Sequence, residues 1–186
     1  MANDKPFVLY EIKLKGLVLE LEGGSKFDAS HLLANGRANY ILFENFIAQC
    51  AGLNPNSQGG ASDICDSSGR GYEVKSYKDP STYPGARSDL FHTAASSTFG
   101  PNNHGPTIKR LLQAGKYAEA LKICKETGFD KNEFYIYVNS AQYDISVPLR
   151  YLIVPKKDVL AMISREDPRI ISRSMILSKV LRKEQI

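Results

Sequence analysis

The 186-residue chain has few of the residues that build metal centres and cross-linked folds. It has no tryptophan, three cysteines and three histidines. The cysteines and histidines are scattered, at Cys50, Cys65, Cys124, His31, His92 and His104. An odd number of cysteines without zinc-like spacing argues against both a zinc site and a disulfide framework. We therefore expect free thiols in a reducing, intracellular compartment.

Long hydrophobic segments are also missing. The longest apolar runs cover only a few residues, such as residues 7–10, whereas a membrane helix needs about 20. Residues 1–6 lack the basic-then-apolar pattern of a signal peptide. We therefore expect neither a membrane partner nor export.

Excess charge is small and confined to one end. The net charge is +4, from 24 basic and 20 acidic residues. Residues 155–186 account for all of it, with eight basic residues (Lys156, Lys157, Arg165, Arg169, Arg173, Lys179, Arg182, Lys183) against four acidic ones (Asp158, Glu166, Asp167, Glu184). Interspersed apolar residues such as Ile171, Met175 and Val180 predict a basic amphipathic helix there. Such a helix would contact DNA, dock on protein or lie in solvent.

The length and a hydrophobic content of 42% predict a single α/β domain over residues 1–186. Alternation favours a strand or hairpin over 7–22, with a short helix as the alternative. Periodicity and turn residues predict helices over 35–51, over 107–127 with a hinge near Gly115, and from 158, strands at 61–65, 72–77, 134–138 and 149–154, and a polar turn at 54–60. Residues 79–106, with four of the nine prolines, are predicted to be mostly irregular. This order predicts a mixed central sheet with helices on both faces.

One arrangement suits catalysis, namely Asp63 followed by Glu73-Val74-Lys75. An acid two residues before a lysine is common by chance, and the chain holds a second case at Glu11-Ile12-Lys13. Only the triplet at Glu73 follows a turn and a strand that carries another acid. Residues two apart on a strand share a face, so Glu73 and Lys75 should converge with Asp63 opposite the apolar face.

Two carboxylates and a lysine in this arrangement suit the hydrolysis of a phosphodiester. Mg²⁺ prefers oxygen ligands, which Asp63, Glu73 and the Val74 carbonyl can provide. A bound metal activates water, and Lys75 can orient or help deprotonate that water. The alternative is an exposed hairpin with an ordinary ion pair, which contributes little energy.

Glu44 is a further candidate, because it lies within the apolar stripe of its helix, between Tyr40 and Ile47. A carboxylate there is costly unless a charged group such as a hydrated metal or Lys75 faces it. Alternatively, Glu44 reaches solvent at the edge of the stripe. Asp66, within the predicted turn, is interpreted as a turn former and not as a ligand.

These motifs resemble the PD-(D/E)XK nuclease superfamily, which has the restriction-endonuclease-like fold. The resemblance rests on Glu44, on Ser62-Asp63-Ile64 and on residues 72–78, and it covers roughly residues 37–79 closely. It implies a Mg²⁺-dependent active site formed by the helix acid, the aspartate at a strand end and the E-x-K strand. Ser62 stands where the family pattern has proline.

Within the superfamily, the chain most resembles the small catalytic subunit of a heterodimeric type IIS restriction endonuclease. The resemblance implies a bacterial, cytoplasmic protein and a larger partner that recognises duplex DNA and nicks it alone. The alternatives are an autonomous homodimeric restriction enzyme and a non-catalytic DNA-binding or assembly subunit.

Further contacts with DNA are open. Arg70 and Lys78 are candidates for phosphate contacts, although a single such residue is more often a solvated charge. The irregular segment offers aromatic and cationic groups for a DNA-facing or partner-facing loop, and the alternative is a plain connection. His92 or His104 as a catalytic base is a weaker possibility, since no activated serine or cysteine accompanies either one.

Overall fold

A computed structural model of the chain describes residues 7–30, 32, 38–56, 62–77, 90–91, 104–139, 148–172 and 180–185. The helices are α1 (Ala38–Ala51), α2 (Gly105–Gln113), α3 (Tyr117–Thr127) and α4 (Lys156–Ala161), with a 3₁₀ turn at Phe129–Lys131. The strands are β1 (Phe7–Ile12), β2 (Val18–Glu20), β3 (Lys26–Asp28), β4 (Asn54–Pro55), β5 (Ile64–Cys65), β6 (Gly71–Tyr77), β7 (Leu90–Phe91), β8 (Phe134–Asn139), β9 (Leu149–Pro155), β10 (Ile171–Ser172) and β11 (Val180–Gln185). None of the helices described is long and apolar enough to span a bilayer.

Seven strands form a mixed sheet in the order β11-β1-β9-β8-β6-β5-β4. The pairs β6–β8 and β1–β11 are parallel, and the other neighbouring strands are antiparallel. The predicted α/β class with a mixed sheet is confirmed. Strand β9 lies between β1 and β8, as its almost wholly apolar sequence predicts for an interior strand.

The sheet separates two hydrophobic cores, because alternate residues of its interior strands point to opposite faces. In β8, Tyr135 and Tyr137 enter one core, and Ile136 and Val138 enter the other. The first core also receives residues from α2, α3 and α4, and the second receives residues from α1. We call these the α2–α4 core and the α1 core, and they confirm the prediction of helices on both faces.

Glycines end or divide the helices where the sequence predicts. Gly52 follows α1 with a φ of +66°, and Gly115 separates α2 from α3 with a φ of +71°. A left-handed backbone at these positions costs glycine little and stops the helix.

The N-terminal residues divide into two parts. Strand β1 joins the main sheet, whereas β2 and β3 form a separate two-stranded hairpin with Leu19 opposite Phe27. The prediction of strand structure over 7–22 is therefore confirmed, but only its first part contributes to the main sheet. The predicted polar turn at 54–60 begins instead with the short strand β4, and residues 57–60 lie outside the described ranges.

The predicted helix beginning at 158 is confirmed as α4, but the interpretation of the basic segment at 155–186 as one amphipathic helix is wrong for the described residues. Only Lys156–Ala161 is helical in the described part of this segment, and Val180–Gln185 forms β11, which pairs in parallel with β1. The physical reason is the edge of β1, whose backbone groups gain partners when a strand is added. Within residues 79–106, which are largely outside the description, Leu90–Phe91 pairs with β10.

Two buried tyrosines allow a matched test of the cores. The Tyr135 hydroxyl donates to the Phe129 carbonyl at 3.3 Å, whereas no described residue partners the buried Tyr151 hydroxyl. We expect Tyr135→Phe to lower the free energy of unfolding by about 1 kcal/mol and Tyr151→Phe to leave it unchanged or raise it. Urea unfolding of both variants measures the difference. Equal destabilisation by the two substitutions would contradict this account.

Candidate active site

The antiparallel hairpin β5–β6 is closed by a turn centred on Asp66. One carboxylate oxygen of Asp66 accepts hydrogen bonds from the backbone N–H groups of Ser68 and Arg70, at 2.9 and 3.0 Å. Gly69 has a φ of +81° and donates its N–H to the Asp66 carbonyl. The hydrogen bond from the Ser68 hydroxyl to the same carboxylate oxygen, at 2.7 Å, and those from Arg70 and the Ser68 N–H hold the pKa of Asp66 well below its usual value. The interpretation of Asp66 as a turn former is confirmed.

Backbone hydrogen bonds on both sides hold Asp63 in place. Its carbonyl accepts from the N–H of Asn56 at 2.9 Å, and its own N–H donates to the Tyr72 carbonyl at 3.1 Å. The regular pairing of β5 with β6 ends at Ile64 and Tyr72, so Asp63 lies just where the ladder stops. Its negative charge acts on Glu73 of β6.

The Asp63 side chain is also tied to β6. Its Oδ2 accepts a hydrogen bond of 2.7 Å from the backbone N–H of Val74. In a strand, the N–H and C=O of one residue point to the same edge, so the Val74 carbonyl lies on the Asp63 side of β6. The oxygen atoms predicted as metal ligands, from Asp63, Glu73 and the Val74 carbonyl, therefore occur together on the β5 side of β6.

Glu73 and Lys75 occupy the same face of β6, as the alternation predicts, while Tyr72 and Val74 are buried in the α1 core. Lys75 Nζ donates to Glu73 Oε1, and Asn132 Nδ2 donates to Glu73 Oε2 at 3.1 Å. Burial and the negative charge of Asp63 raise the pKa of Glu73, although Lys75 and Asn132 partly oppose this. Glu73 is thus a carboxylate held between two donors.

Glu44 belongs to the same group of charges although it comes from α1. Its pKa rises from 4.5 to about 7, first because of burial and then because of the negative charges of Asp63 and Glu73, while Lys75 lowers it. The side chain is half-buried. The structure thus brings Glu44, Asp63, Glu73 and Lys75 into electrostatic contact. As expected, burial in the apolar stripe of α1 disfavours the charged form of Glu44.

Among the residues described, the helices on the face of Glu73 and Lys75 pack on strands other than β6. The α2–α4 core takes residues from β1, β8 and β9 but, among the residues described, none from β6. The side chains of Glu73 and Lys75 retain 19% and 22% of their exposure. Both side chains are therefore mostly buried but keep some contact with solvent.

The oxygen atoms at this site fit Mg²⁺ if waters and a substrate phosphate supply the remaining ligands. In the described part of the chain, no three His, Cys, Asp or Glu side chains are placed to hold an ion together. Mg²⁺ is commonly bound through one or two carboxylates, with waters and substrate phosphates as the other ligands. The carboxylates of Asp63 and Glu73 and the Val74 carbonyl match that pattern. The negative charge of Glu44 would add to the attraction of the site for a cation.

The predicted phosphate contacts differ in their placement. Arg70 Nε donates to Asp66 Oδ2 at 2.7 Å, and the guanidinium lies 5.4 Å from the centre of the Phe134 ring. Arg70 thus already stabilises the turn, and its contact with DNA stays a prediction. Lys78 and His92 lie outside the described residues, and His104 precedes α2.

Sequence reasoning missed two residues at this site, Asn132 and Gly71. Asn132 lies in a run of polar residues before β8, where an asparagine is unremarkable, and Gly71 reads as part of the turn. Contacts between distant parts of the chain give both residues their roles. The only signal in the sequence is position, because Gly71 begins β6 and Asn132 lies two residues before β8.

The raised pKa of Glu44 predicts a pH-dependent effect of Glu44→Gln on stability in metal-free buffer. Folding favours protonated Glu44, so this contribution is complete below about pH 4.5 and is lost as the pH rises through about 7. We expect Glu44→Gln to gain about 1 kcal/mol over the wild type between pH 5 and 8, after allowance for solvent screening.

Urea unfolding in EDTA at several pH values measures this gain. Glu126→Gln is the control, because it removes an exposed acid of α3 whose ion pair with Lys122, at 3.8 Å, contributes little, and its effect should be much smaller than that of Glu44→Gln. A Glu44→Gln difference that stays the same from pH 5 to pH 8 would contradict the electrostatic coupling.

Comparison with known proteins neither adds to this description nor limits it. No family model, curated protein or solved structure matches the chain. Support for a function therefore comes from the geometry of Asp63, Glu73, Lys75 and Glu44 and from the resemblance that those residues carry.

Proposed function

We propose that this chain is a Mg²⁺-dependent endodeoxyribonuclease with a restriction-endonuclease-like fold of the PD-(D/E)XK type. The observation that carries the proposal is the grouping of Asp63, Glu73 and Lys75 beside the β5–β6 hairpin, where Asp63 is bonded to the Val74 N–H and Lys75 to Glu73. The mixed sheet with helices on both faces is compatible with that fold.

Asp63, Glu73 and the Val74 carbonyl would hold the metal. When bound, Mg²⁺ supplies an activated water and stabilises the charge that develops on the phosphate. The two carboxylates contribute the negative charge that attracts a divalent cation, and Glu44 adds to it. The raised pKa values of Glu44 and Glu73 are consistent with such a group of acids in the absence of a cation.

Lys75 is the general acid–base candidate, with a supporting electrostatic role. Its ammonium donates to Glu73 Oε1, which keeps Nζ beside the carboxylates. From this position Lys75 can orient the attacking water or help remove its proton, and it can neutralise the additional charge on the phosphorus oxygens. Glu73 therefore has two tasks, since it provides metal-ligand oxygens and orients Lys75.

We propose duplex DNA as the substrate and a larger recognition subunit as the partner. One active site cuts one strand, so a double-strand cut needs a second site. Residues 1–154 sum to zero charge, which provides little of the electrostatic attraction that DNA binding by this part alone would use. A partner that recognises the sequence and cuts the other strand, as in a bacterial type IIS restriction system, would supply both the second active site and the attraction to DNA.

The test is a plasmid assay with Mg²⁺ or EDTA, using the chain alone and the chain reconstituted with its larger subunit. We expect the complex to linearise the plasmid only with Mg²⁺. Complexes with Glu73→Ala or Lys75→Ala should stop at nicked circles, because the partner's site still cuts its strand. We expect cleavage by this chain to fall by about 10² to 10⁴, the usual contribution of an acid–base group.

The second E-x-K triplet supplies a matched control. Lys13 is exposed at the end of the corresponding triplet, so Lys13→Ala should linearise the plasmid at the wild-type rate. Full-rate cutting of both strands by the Glu73→Ala and Lys75→Ala complexes would show that this chain is a non-catalytic subunit. Linearisation by the purified chain alone would favour the homodimeric alternative.

A further inference from the structure

Asn132 is a buried polar residue next to the proposed active site. It is 3% exposed, and Glu11 is the other buried polar residue in the described part of the chain. Glu11 pairs with Arg150 of β9, away from the proposed site. Asn132 instead directs its amide at Glu73, with Nδ2 3.1 Å from Oε2. A buried amide is costly unless it is hydrogen-bonded, so this contact has a structural consequence.

The backbone around Asn132 fixes the position of that amide. The 3₁₀ turn before it is closed by the Lys131 N–H, which donates to the Gly128 carbonyl at 3.1 Å. After it, the Glu133 N–H donates to the Gly71 carbonyl at 2.9 Å. The residue after Asn132 is thereby bonded to Gly71, the first residue of β6, which lies two residues before Glu73. The backbone therefore fixes the Asn132 amide relative to the Glu73 carboxylate.

Gly71 provides the space for this arrangement. A Cβ at this position would lie 2.0 Å from Ser62 Oγ and 2.8 Å from Asn132 Oδ1. Both distances are shorter than van der Waals contact, so any side chain at position 71 would displace one or both neighbours. The requirement is steric, since Gly71 does not have a positive φ.

We propose that Asn132 is a positioning residue for the Glu73 carboxylate. Asn132 holds Oε2 and Lys75 holds Oε1, so the two donors together select one orientation of a flexible side chain. This inference rests on the proposed function, because the orientation matters if Glu73 is a metal ligand. Groups that orient a ligand typically change metal affinity or activity by 10- to 100-fold when they are removed.

The test measures metal binding and stability separately, without DNA. Mn²⁺ accepts the same oxygen ligands as Mg²⁺, and the free ion is counted by electron paramagnetic resonance. We expect Asn132→Leu, which keeps a similar size and removes the donor, to weaken Mn²⁺ binding at least about tenfold. If Asn132→Leu does not fold, Asn132→Ser carries the same expectation, because its hydroxyl is too short to replace the amide.

Two further variants distinguish a positioning role from a merely structural one. Val159→Ala removes packing in the α2–α4 core, so it should lower Tm and leave Mn²⁺ affinity unchanged. Glu73→Gln should weaken Mn²⁺ binding directly. If Glu73→Gln weakens binding and the Asn132 variant only lowers Tm, the inference fails and the proposed function stands. If the wild-type chain takes up no Mn²⁺, or Glu73→Gln binds it equally well, the proposed function fails and the inference falls with it.

Gly71→Ala tests the position of the Asn132 amide without changing Asn132 itself. It should weaken Mn²⁺ binding as the Asn132 variant does, because the new methyl group displaces the amide. In a Ser62→Gly background, Gly71→Ala keeps only the clash with Asn132 Oδ1. We expect the loss of Mn²⁺ affinity to persist in that double variant. Full recovery of affinity would assign the effect to Ser62 and contradict the role of Asn132.

Discussion

A backbone N–H inside a sheet needs an acceptor, and at Val74 that acceptor is the side chain of Asp63. Strand β5 consists only of Ile64 and Cys65, so its backbone does not extend to the position opposite Val74. The carboxylate takes the place of a strand partner there. The same bond that completes the sheet therefore holds one acid beside the strand that carries Glu73 and Lys75.

The remaining features of the site follow from this arrangement and from the two layers of helices. The α1 core buries one face of β6, which directs Glu73 and Lys75 to the other face. On that face the described residues of the α2–α4 core lie over β1, β8 and β9, and the two side chains keep about a fifth of their exposure, at 19% and 22%. Acids from three separate segments then share one electrostatic environment, in which Lys75 is the partner that lowers the pKa of both Glu44 and Glu73.

Local patterns predicted the parts of the fold that depend on neighbouring residues. Alternation assigned the faces of β6, a glycine- and serine-rich turn marked the hairpin, and Gly52 and Gly115 marked the helix ends. Two kinds of feature could not be predicted in this way. Strand β11 exists because β1 offers an edge, and Asn132 matters because its amide meets a carboxylate 59 positions earlier in the chain.

If Asp63 and Glu73 form a divalent-cation site at the β5–β6 hairpin, a bound cation must be visible beside both carboxylates. An anomalous difference map from crystals of this chain grown with Mn²⁺, which favours oxygen ligands as Mg²⁺ does, would locate the cation. We expect a peak within bonding distance of carboxylate oxygens of both Asp63 and Glu73. A map whose Mn²⁺ peaks all lie elsewhere, with these two side chains ordered, would contradict this expectation.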